Sequence, residues 1–84
     1  MKNIESLKKR IIFRSTHRGT KEMDLLLGEF AKKYINVFSY DELKLLDDLM
    51  AVDDETLYDW YFKKIKNKLV SANKISIKLK NFKI

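Results

Sequence analysis

One segment of the chain, from about Thr20 to Tyr34, carries its apolar residues at the spacing of an amphipathic α-helix. Met23, Leu26, Leu27, Phe30 and Tyr34 occupy positions i, i+3, i+4, i+7 and i+11, which places them on one face of a helix. A helix with one apolar face buries that face against other elements. Because the 84 residues include no proline and two glycines, the composition also favours an all-α fold.

Three further segments carry helical signals. The first runs from about Asn3 to Thr16, with Asn3 as a candidate N-cap. The third begins with a candidate capping box, in which Ser39 and Glu42 can satisfy each other's free backbone donors. The fourth begins at Asp53 or Asp54. The residues expected on the buried faces of these three segments are Ile4, Leu7, Ile11, Phe38, Leu43, Leu46, Met50, Leu57, Trp60, Tyr61 and Ile65.

The pattern changes after Lys63. Ile65, Leu69 and Ala72 continue a helical period, whereas residues 75–80 alternate between apolar and polar in the manner of a strand. A strand here has no partner elsewhere in the chain, so a frayed helix or an adaptable tail is the preferred interpretation. We therefore predict one domain, residues 1–84, folded as a small compact helical bundle of four to five helices with a basic tail at residues 63–84.

Composition excludes several classes of protein. The chain has no cysteine and one histidine, which excludes disulfides and thiolate chemistry and makes a metal centre unexpected. It has no apolar run near the roughly 20 residues that span a bilayer, and its first residues lack the apolar stretch of a signal peptide. A chain of this length buries only roughly 60% of the surface that its unfolded form exposes, so we expect modest stability.

The net charge of +6 is unevenly distributed. Residues 1–18 carry six Lys or Arg and one Glu, residues 19–62 carry four Lys and eleven Asp or Glu, and residues 63–84 carry eight Lys and no acid. An acidic middle between basic ends differs from the continuous basic face of a nucleic-acid module. The basic tail can still contact an acidic partner, RNA or anionic lipid.

No residue pattern indicates catalysis. The single histidine, His17, has no nucleophile next to it in sequence, and there is no phosphate-binding glycine loop or dinucleotide fingerprint. The carboxylate pair Asp47-Asp48 is interpreted as a solvated helix face, and Asp53-Asp54 as a cap. We therefore expect a protein that is not an enzyme and that holds no cofactor or metal of its own.

Aromatic residues crowd one short stretch of the fourth segment. Trp60 and Tyr61 follow the apolar stripe and are expected in the core, while Tyr58 and Phe62 lie on its flank and are expected to be partly exposed. An exposed aromatic edge beside Asp59 would suit a contact with another protein.

The step between the first two helices carries the strongest candidate contact. An exposed Arg18 would offer five donors beside Gly19, whose lack of a side chain lets another surface approach closely. Glu22 and Asp24 follow in the first turns of the next helix, where acids are also favoured by the helix dipole. Because this step lies between helices, we expect Arg18→Ala and Gly19→Arg to leave the bundle folded while abolishing function.

The chain from about Arg14 to Trp60 resembles the succinate dehydrogenase assembly (flavinylation) factor family. The resemblance rests on Arg18, Gly19 and Glu22, which match the family's Arg-Gly-x-x-Glu motif, on the capped helix from Ser39, and on the acidic turn before Leu57 and Trp60. One departure is Thr16, where many relatives have tryptophan, and another is the segment after Trp60, which lacks the family's proline-bearing loop and clear fifth helix.

The resemblance implies an assembly factor that binds the flavoprotein subunit of succinate dehydrogenase, or in some members that of fumarate reductase, and promotes covalent attachment of FAD to it. Partner-binding residues would be Arg18, Gly19 and Glu22, followed by His17 and Asp24, and FAD would be carried by the partner. We expect a monomer in the bacterial cytoplasm without membrane insertion. The alternatives are a small basic nucleic-acid-binding or antitoxin-like regulator, and a peripheral membrane adaptor that uses Lys63 to Lys83.

Overall fold

Regular structure in the computed structural model, which describes residues 3–83, is entirely α-helical. The helices are α1 (Ile4–Thr16), α2 (Lys21–Tyr34), α3 (Tyr40–Met50), α4 (Asp54–Phe62) and α5 (Lys74–Lys80). The prediction of an all-α bundle of four to five helices is confirmed at the upper number. Residues 1, 2 and 84 of the predicted domain lie outside the described residues.

The helices begin where the sequence places their caps. The side chains of Asn3, Thr20 and Asp53 accept hydrogen bonds from the backbone amides at the starts of α1, α2 and α4. At α3 the capping box forms in both directions between Ser39 and Glu42. The hydrogen bond that the Ser39 amide donates lowers the pKa of the Glu42 carboxyl below its usual value, because it stabilises the charged form.

The apolar stripes meet in one core, in which α1 packs on α2 and α3, and α5 packs on α3. The predicted stripe of α2 supplies its centre, since Met23, Leu26, Leu27 and Phe30 are fully buried. Gly28 lies at the closest approach of the first two helices, where a Cβ atom would stand 3.6 Å from Cγ2 of Thr16.

The aromatic residues of α4 divide as the sequence predicts. Trp60 and Tyr61 are buried, while Tyr58 and Phe62 are exposed by 36% and 39% and pack on each other with ring centroids 4.7 Å apart. The Tyr61 hydroxyl donates to the backbone carbonyl of Phe82, which ties the chain beyond α5 to α4.

The chain after α4 does not form the helix that the spacing of Ile65, Leu69 and Ala72 predicts. Residues 63–73 form no helix, and Ile65 and Leu69 are exposed by 50% and 65%. Residues 75–80 lie in the helix α5, so the expectation that the chain lacks a clear fifth helix is wrong, and so is that of an adaptable tail at these residues. Asn73 caps the start of α5, and Ile75 and Leu79, four residues apart, both enter the core.

The interpretation of Asp47 as part of a solvated face is wrong, although Asp48 is exposed. Asp47 is 8% exposed and accepts from Arg10 over 2.8 Å and from Arg14 over 3.1 Å. Asp47 follows the buried Leu43 by four residues, so the helix carries its carboxylate to the face that meets α1. Among residues 3–83, no helix has the length and apolar character needed to span a membrane.

Candidate functional site

The side chain of Arg18 holds the turn between α1 and α2 against the turn between α3 and α4. Its Nε atom donates to Oδ1 of Asp54 over 2.6 Å. Its terminal nitrogens donate to the backbone carbonyl of Met50 over 2.7 Å and to that of Val52 over 2.6 Å. The Arg18 side chain is only 9% exposed. The expectation of an exposed guanidinium is therefore wrong, because the chain itself uses these donors.

The location of these bonds follows from the charges at helix ends. The last carbonyls of a helix are unpaired and carry partial negative charge, and α3, which ends at Met50, has no basic residue in its own last turn. Arg18 supplies that positive charge from the other turn. Asp54 begins α4, where the unpaired amides favour a carboxylate. We call Arg18, Asp54 and the carbonyls of Met50 and Val52 the Arg18 clamp.

Two carboxylates hold the backbone of the same turn. The Arg18 amide donates to Oδ1 of Asp24 over 2.6 Å, and the Gly19 amide donates to Oδ2 of Asp54. Asp54 thus binds the side chain of one residue and the amide of the next. Asp24, a predicted contact residue, is half-buried, and one of its carboxylate oxygens accepts the hydrogen bond from the Arg18 amide. This bond helps to fix the shape of the turn.

Gly19 is required by space and not by its backbone angles. No glycine of the described chain has a positive φ. A Cβ atom at Gly19 would stand 2.9 Å from Oδ2 of Asp54, closer than such atoms pack. Because Arg18 holds that carboxylate in place, a larger residue at position 19 would have to displace it. The glycine therefore lets Asp54 reach both Arg18 and the backbone.

His17 ends α1 on the exposed side of the turn. Its Nδ1 atom lies 2.8 Å from the backbone carbonyl of Phe13, and its ring stacks on the Phe13 ring with centroids 4.0 Å apart. A carbonyl oxygen only accepts, so Nδ1 carries the proton and donates. Its Nε2 atom makes no hydrogen bond with any of residues 3–83. The Thr16 hydroxyl lies 3.2 Å from the Nδ1 atom and donates to the backbone carbonyl of Ile12 over 2.7 Å, as a hydroxyl at a helix end does.

Glu22 is the exposed acid of the predicted set. It lies in the first turn of α2 and makes no hydrogen bond or ion pair with any of residues 3–83. Its carboxylate is therefore available to a donor on another molecule. The structure thus brings Arg18, Gly19 and Asp24 together in the turn between α1 and α2, which we call the locked turn because hydrogen bonds fix its backbone. Glu22 and His17 lie on the outer side of this turn.

Two open depressions flank the locked turn. One, of about 520 Å³, is lined by Gly19, Thr20, Asp54, Glu55, Tyr58 and Asp59. The other, of about 310 Å³, lies between α1 and α2 and is lined by Thr16, Lys21, Asp24, Leu25, Gly28 and Glu29. Leu25 is 52% exposed. Lysines also line both depressions, so the surface around the turn combines charged side chains of both signs with exposed apolar side chains.

Asp54 is the residue of the site that sequence reasoning missed, since it was assigned to a cap. The cap itself is Asp53, whose carboxyl has a lowered pKa because the Thr56 hydroxyl and amide donate to it. The sequence offers a signal for Arg18 and not for Asp54: α3 has no basic residue in its last turn, so a cation from another segment suits its last carbonyls. Among residues 3–83, no group of three or more His, Asp or Glu side chains is arranged to hold a metal ion.

Comparison with known proteins finds one matching family. A family model described as flavinator of succinate dehydrogenase matches residues 9–83, a range that includes the whole Arg18 clamp. No solved structure matches the chain significantly.

Curated relatives carry related names. The chain is 33% identical over 60 residues to the FAD assembly factor SdhE of Acetobacter pasteurianus, covering 71% of this chain and 55% of that protein. It is 44% identical over 57 residues to the mitochondrial succinate dehydrogenase assembly factor 2 of Scheffersomyces stipitis, covering 68% of this chain and 38% of that protein. For the protein of the same name from Debaryomyces hansenii the identity is 40% over 58 residues, with 69% and 41% covered. The chain thus spans about half, or less, of the length of these relatives.

Proposed function

The chain belongs to the family of flavinators of succinate dehydrogenase, and on that premise we propose that it is an assembly factor for a flavoprotein. It binds the flavoprotein subunit of succinate dehydrogenase and promotes the covalent attachment of FAD. The observation that carries the proposal is the family match over residues 9–83. The relatives' names, FAD assembly factor and succinate dehydrogenase assembly factor, support it.

In this proposal the chain is not an enzyme and holds no flavin of its own. The new bond joins the flavin to a histidine of the flavoprotein, so both reacting groups belong to the partner. The chain's two glycines, Gly19 and Gly28, are nine residues apart and form no phosphate-binding loop. The factor contributes by binding the reactive arrangement of the flavoprotein more tightly than other arrangements, which raises the population of that arrangement.

The locked turn is the proposed contact surface, and its residues have different roles. Glu22, exposed and unpaired within the described chain, accepts hydrogen bonds from a donor on the flavoprotein. His17 presents Nε2 beside it. Arg18 and Asp24 act as positioning residues, because their polar groups are bonded within the chain. Gly19 keeps the turn thin enough for the flavoprotein to approach.

We further propose that the factor works as a monomer in the bacterial cytoplasm, where it meets the flavoprotein before the oxidoreductase is complete. A rigid, preformed turn suits this task, since it loses little conformational entropy when the partner binds.

The experiment supplies the chain to bacterial cells that lack their own factor. Covalent flavin is measured by fluorescence of the denatured flavoprotein band, and binding is measured by copurification of the flavoprotein with the tagged chain. The wild-type chain is expected to restore fluorescence and retain the flavoprotein, while the purified chain alone carries no FAD. Failure of both readouts, or stoichiometric FAD on the isolated chain, would contradict the proposal.

Glu22→Gln tests the contact surface, with Asp48→Asn on α3 as its matched control. Both acids are exposed and their carboxylates have no partner in the described chain, so each change removes one charge and leaves the core untouched. A charge-assisted hydrogen bond contributes about 1.5–3 kcal/mol, so Glu22→Gln should weaken flavoprotein binding roughly ten- to a hundredfold. If the two variants bind the flavoprotein equally well, Glu22 is not part of the contact surface.

A further inference from the structure

The segment between α4 and α5 is a loop of lysines and aliphatic residues that face solvent. Its exposed members include four lysines and two large aliphatic residues, which are Lys63, Lys64, Lys66, Lys68, Ile65 and Leu69. Ile65 is 50% exposed and Leu69 is 65% exposed. We call residues 63–73 the lysine loop. A solvated loop has no folding reason to expose two aliphatic side chains among four ammonium groups.

Most of the positive charge in this region is not neutralised by the chain. Within residues 63–83 there are eight lysines and no acidic residue. Lys63 pairs with Asp59 over 3.4 Å, and Lys74 pairs with Glu42 over 3.4 Å. The other six lysines make no ion pair with any residue that the structure describes. A surface with six uncompensated cations attracts a polyanion or an anionic interface.

The lysine loop and α5 enclose a cleft of about 310 Å³. Lys66 and Asn67 line it from the loop, and Ile77 and Lys80 line it from α5. Its apolar wall includes Trp60, with Nζ of Lys80 5.8 Å from the ring centroid. Ile77 is 54% exposed at its edge. Two ammonium groups and an amide in one apolar-walled cleft suit a phosphate ester that is attached to a hydrophobic body.

We propose that the lysine loop, the cleft and the exposed side of α5 dock on the surface of an anionic phospholipid bilayer. The lysines bind headgroup phosphates, and the cleft receives one of them between Lys66 and Lys80. Ile65, Leu69 and Ile77 enter the headgroup region, as aliphatic side chains of interfacial segments do. Lysine suits this geometry because its long aliphatic stem packs on apolar surface while its ammonium group reaches the phosphates.

The character of the exposed side chains favours a bilayer over RNA. Single-stranded RNA is bound by stacking its bases on aromatic rings or guanidinium planes. Residues 63–83 contain no arginine and one aromatic residue, Phe82, which is half-buried against Phe30 with ring centroids 5.2 Å apart. Of the rings next to this region, Trp60 in the cleft wall is 8% exposed, and Phe62 packs on the rings of Tyr58 and Tyr61. The large apolar side chains between the lysines, Ile65 and Leu69, are aliphatic and partition into a lipid interface.

The test is cosedimentation of the full chain with vesicles of phosphatidylglycerol and phosphatidylcholine, compared with vesicles of phosphatidylcholine alone. We expect binding to the anionic vesicles only, weakening as salt rises. Lys66→Gln/Lys68→Gln should lower the partition coefficient by more than tenfold, because each lysine near an anionic surface contributes roughly a factor of five. Ile65→Ser/Leu69→Ser should lower the part of binding that resists salt, with Val37→Ser, an exposed aliphatic residue in another turn, as its control.

Lys9→Gln/Lys44→Gln is the matched charge control, since these two exposed lysines lie on α1 and α3. It removes the same charge from the protein and should leave vesicle binding nearly unchanged. Circular dichroism of each variant reports whether the bundle is intact. Equal loss in the control pair, equal binding to both vesicle types, or a Lys66→Gln/Lys68→Gln variant that loses binding to an RNA oligonucleotide while keeping its binding to anionic vesicles would overturn the proposal. Flavinylation is not part of this assay, so its outcome is separate from that of the proposed function.

Discussion

Arg18 and Asp54 are 36 residues apart in sequence and form a hydrogen-bonded ion pair of 2.6 Å between two interhelical turns. The carboxylate also accepts from the Gly19 amide, so one aspartate fixes both residues of the Arg-Gly step. The consequence is that the shape of the candidate binding surface depends on a pair that also stabilises the fold.

Arg18→Ala should destabilise the bundle, in contrast to the sequence expectation that it leaves the fold intact. The substitution leaves Asp54 and two carbonyls at the end of α3 without their donors, at a cost of about 3 kcal/mol. Urea unfolding measures the change. Arg10→Ala is the control: the Arg10 side chain is 55% exposed and its partner Asp47 keeps Arg14, so the loss should be at most about 1 kcal/mol. Equal unfolding free energies for Arg18→Ala and wild type would show that the clamp does not stabilise the protein.

The two glycines should respond to alanine with opposite signs. Gly19→Ala places a Cβ atom 2.9 Å from Oδ2 of Asp54 and should destabilise by about 1–2 kcal/mol, because it weakens hydrogen bonds to a charged group. Gly28→Ala meets only ordinary contacts, at 3.6 Å from Thr16 and 3.8 Å from Ser15. It should stabilise by about 0.5–1 kcal/mol, since glycine is unfavourable within a helix. If the urea midpoints of both variants lie above that of wild type, or both lie below it, the predicted opposite effects are wrong.

Phe30→Ala should destabilise the fold by about 3–5 kcal/mol, as expected for truncation of a buried aromatic residue. The Phe30 side chain is fully buried and contacts the rings of Tyr34 and Phe82. Phe13→Ala is a matched control because Phe13 is 60% exposed. Thermal unfolding compares the two variants, and a melting temperature for Phe30→Ala within a degree of wild type would place Phe30 outside the core.

Lys64→Gly should stabilise the protein by about 1 kcal/mol. Lys64 follows α4 with a φ of 61°, a left-handed conformation that costs a residue with a Cβ atom about 1–2 kcal/mol and glycine almost nothing. Lys66→Gly, two residues further from the end of α4, removes the same charge where no positive φ is recorded. Lys66→Gly should not raise the free energy of unfolding measured by chemical denaturation. An equal increase in both variants would show that the loss of charge, and not the backbone conformation, causes the effect.

Stability should fall in acid partly through Asp53. The Thr56 hydroxyl and amide lower the pKa of its carboxyl in the folded state. A carboxyl of this kind contributes stability above its unfolded pKa, and that contribution is lost as the pH falls through its folded pKa. Asp53→Asn keeps a side-chain oxygen at the cap but does not titrate. The unfolding free energy of this variant should therefore change less than that of wild type below about pH 4, and an unchanged pH profile would exclude a role for Asp53.

The sequence by itself determined which segments form α1 to α4, where these helices begin and most of the residues that they bury. Among the residues expected on buried faces, Ile4 is exposed by 36%, and Ile65, beyond the end of α4, is exposed by 50%. These properties depend on local relationships: a helical period repeats within four residues, and a cap such as that of Ser39 with Glu42 acts over three. The resemblance carried by Arg18, Gly19 and Glu22 pointed to the family that the match over residues 9–83 identifies.

Only the tertiary structure decided what the polar groups of those helices bind. The sequence cannot distinguish an arginine that serves a partner from one that serves Asp54, because the two positions meet only when four helices pack. Asp47 is an acid on an otherwise ordinary helix until packing brings Arg10 and Arg14 to it. The order of α5 has the same origin: seven residues are too few to form a stable helix alone, and burial of Ile75 and Leu79 in the core supplies what local propensity lacks.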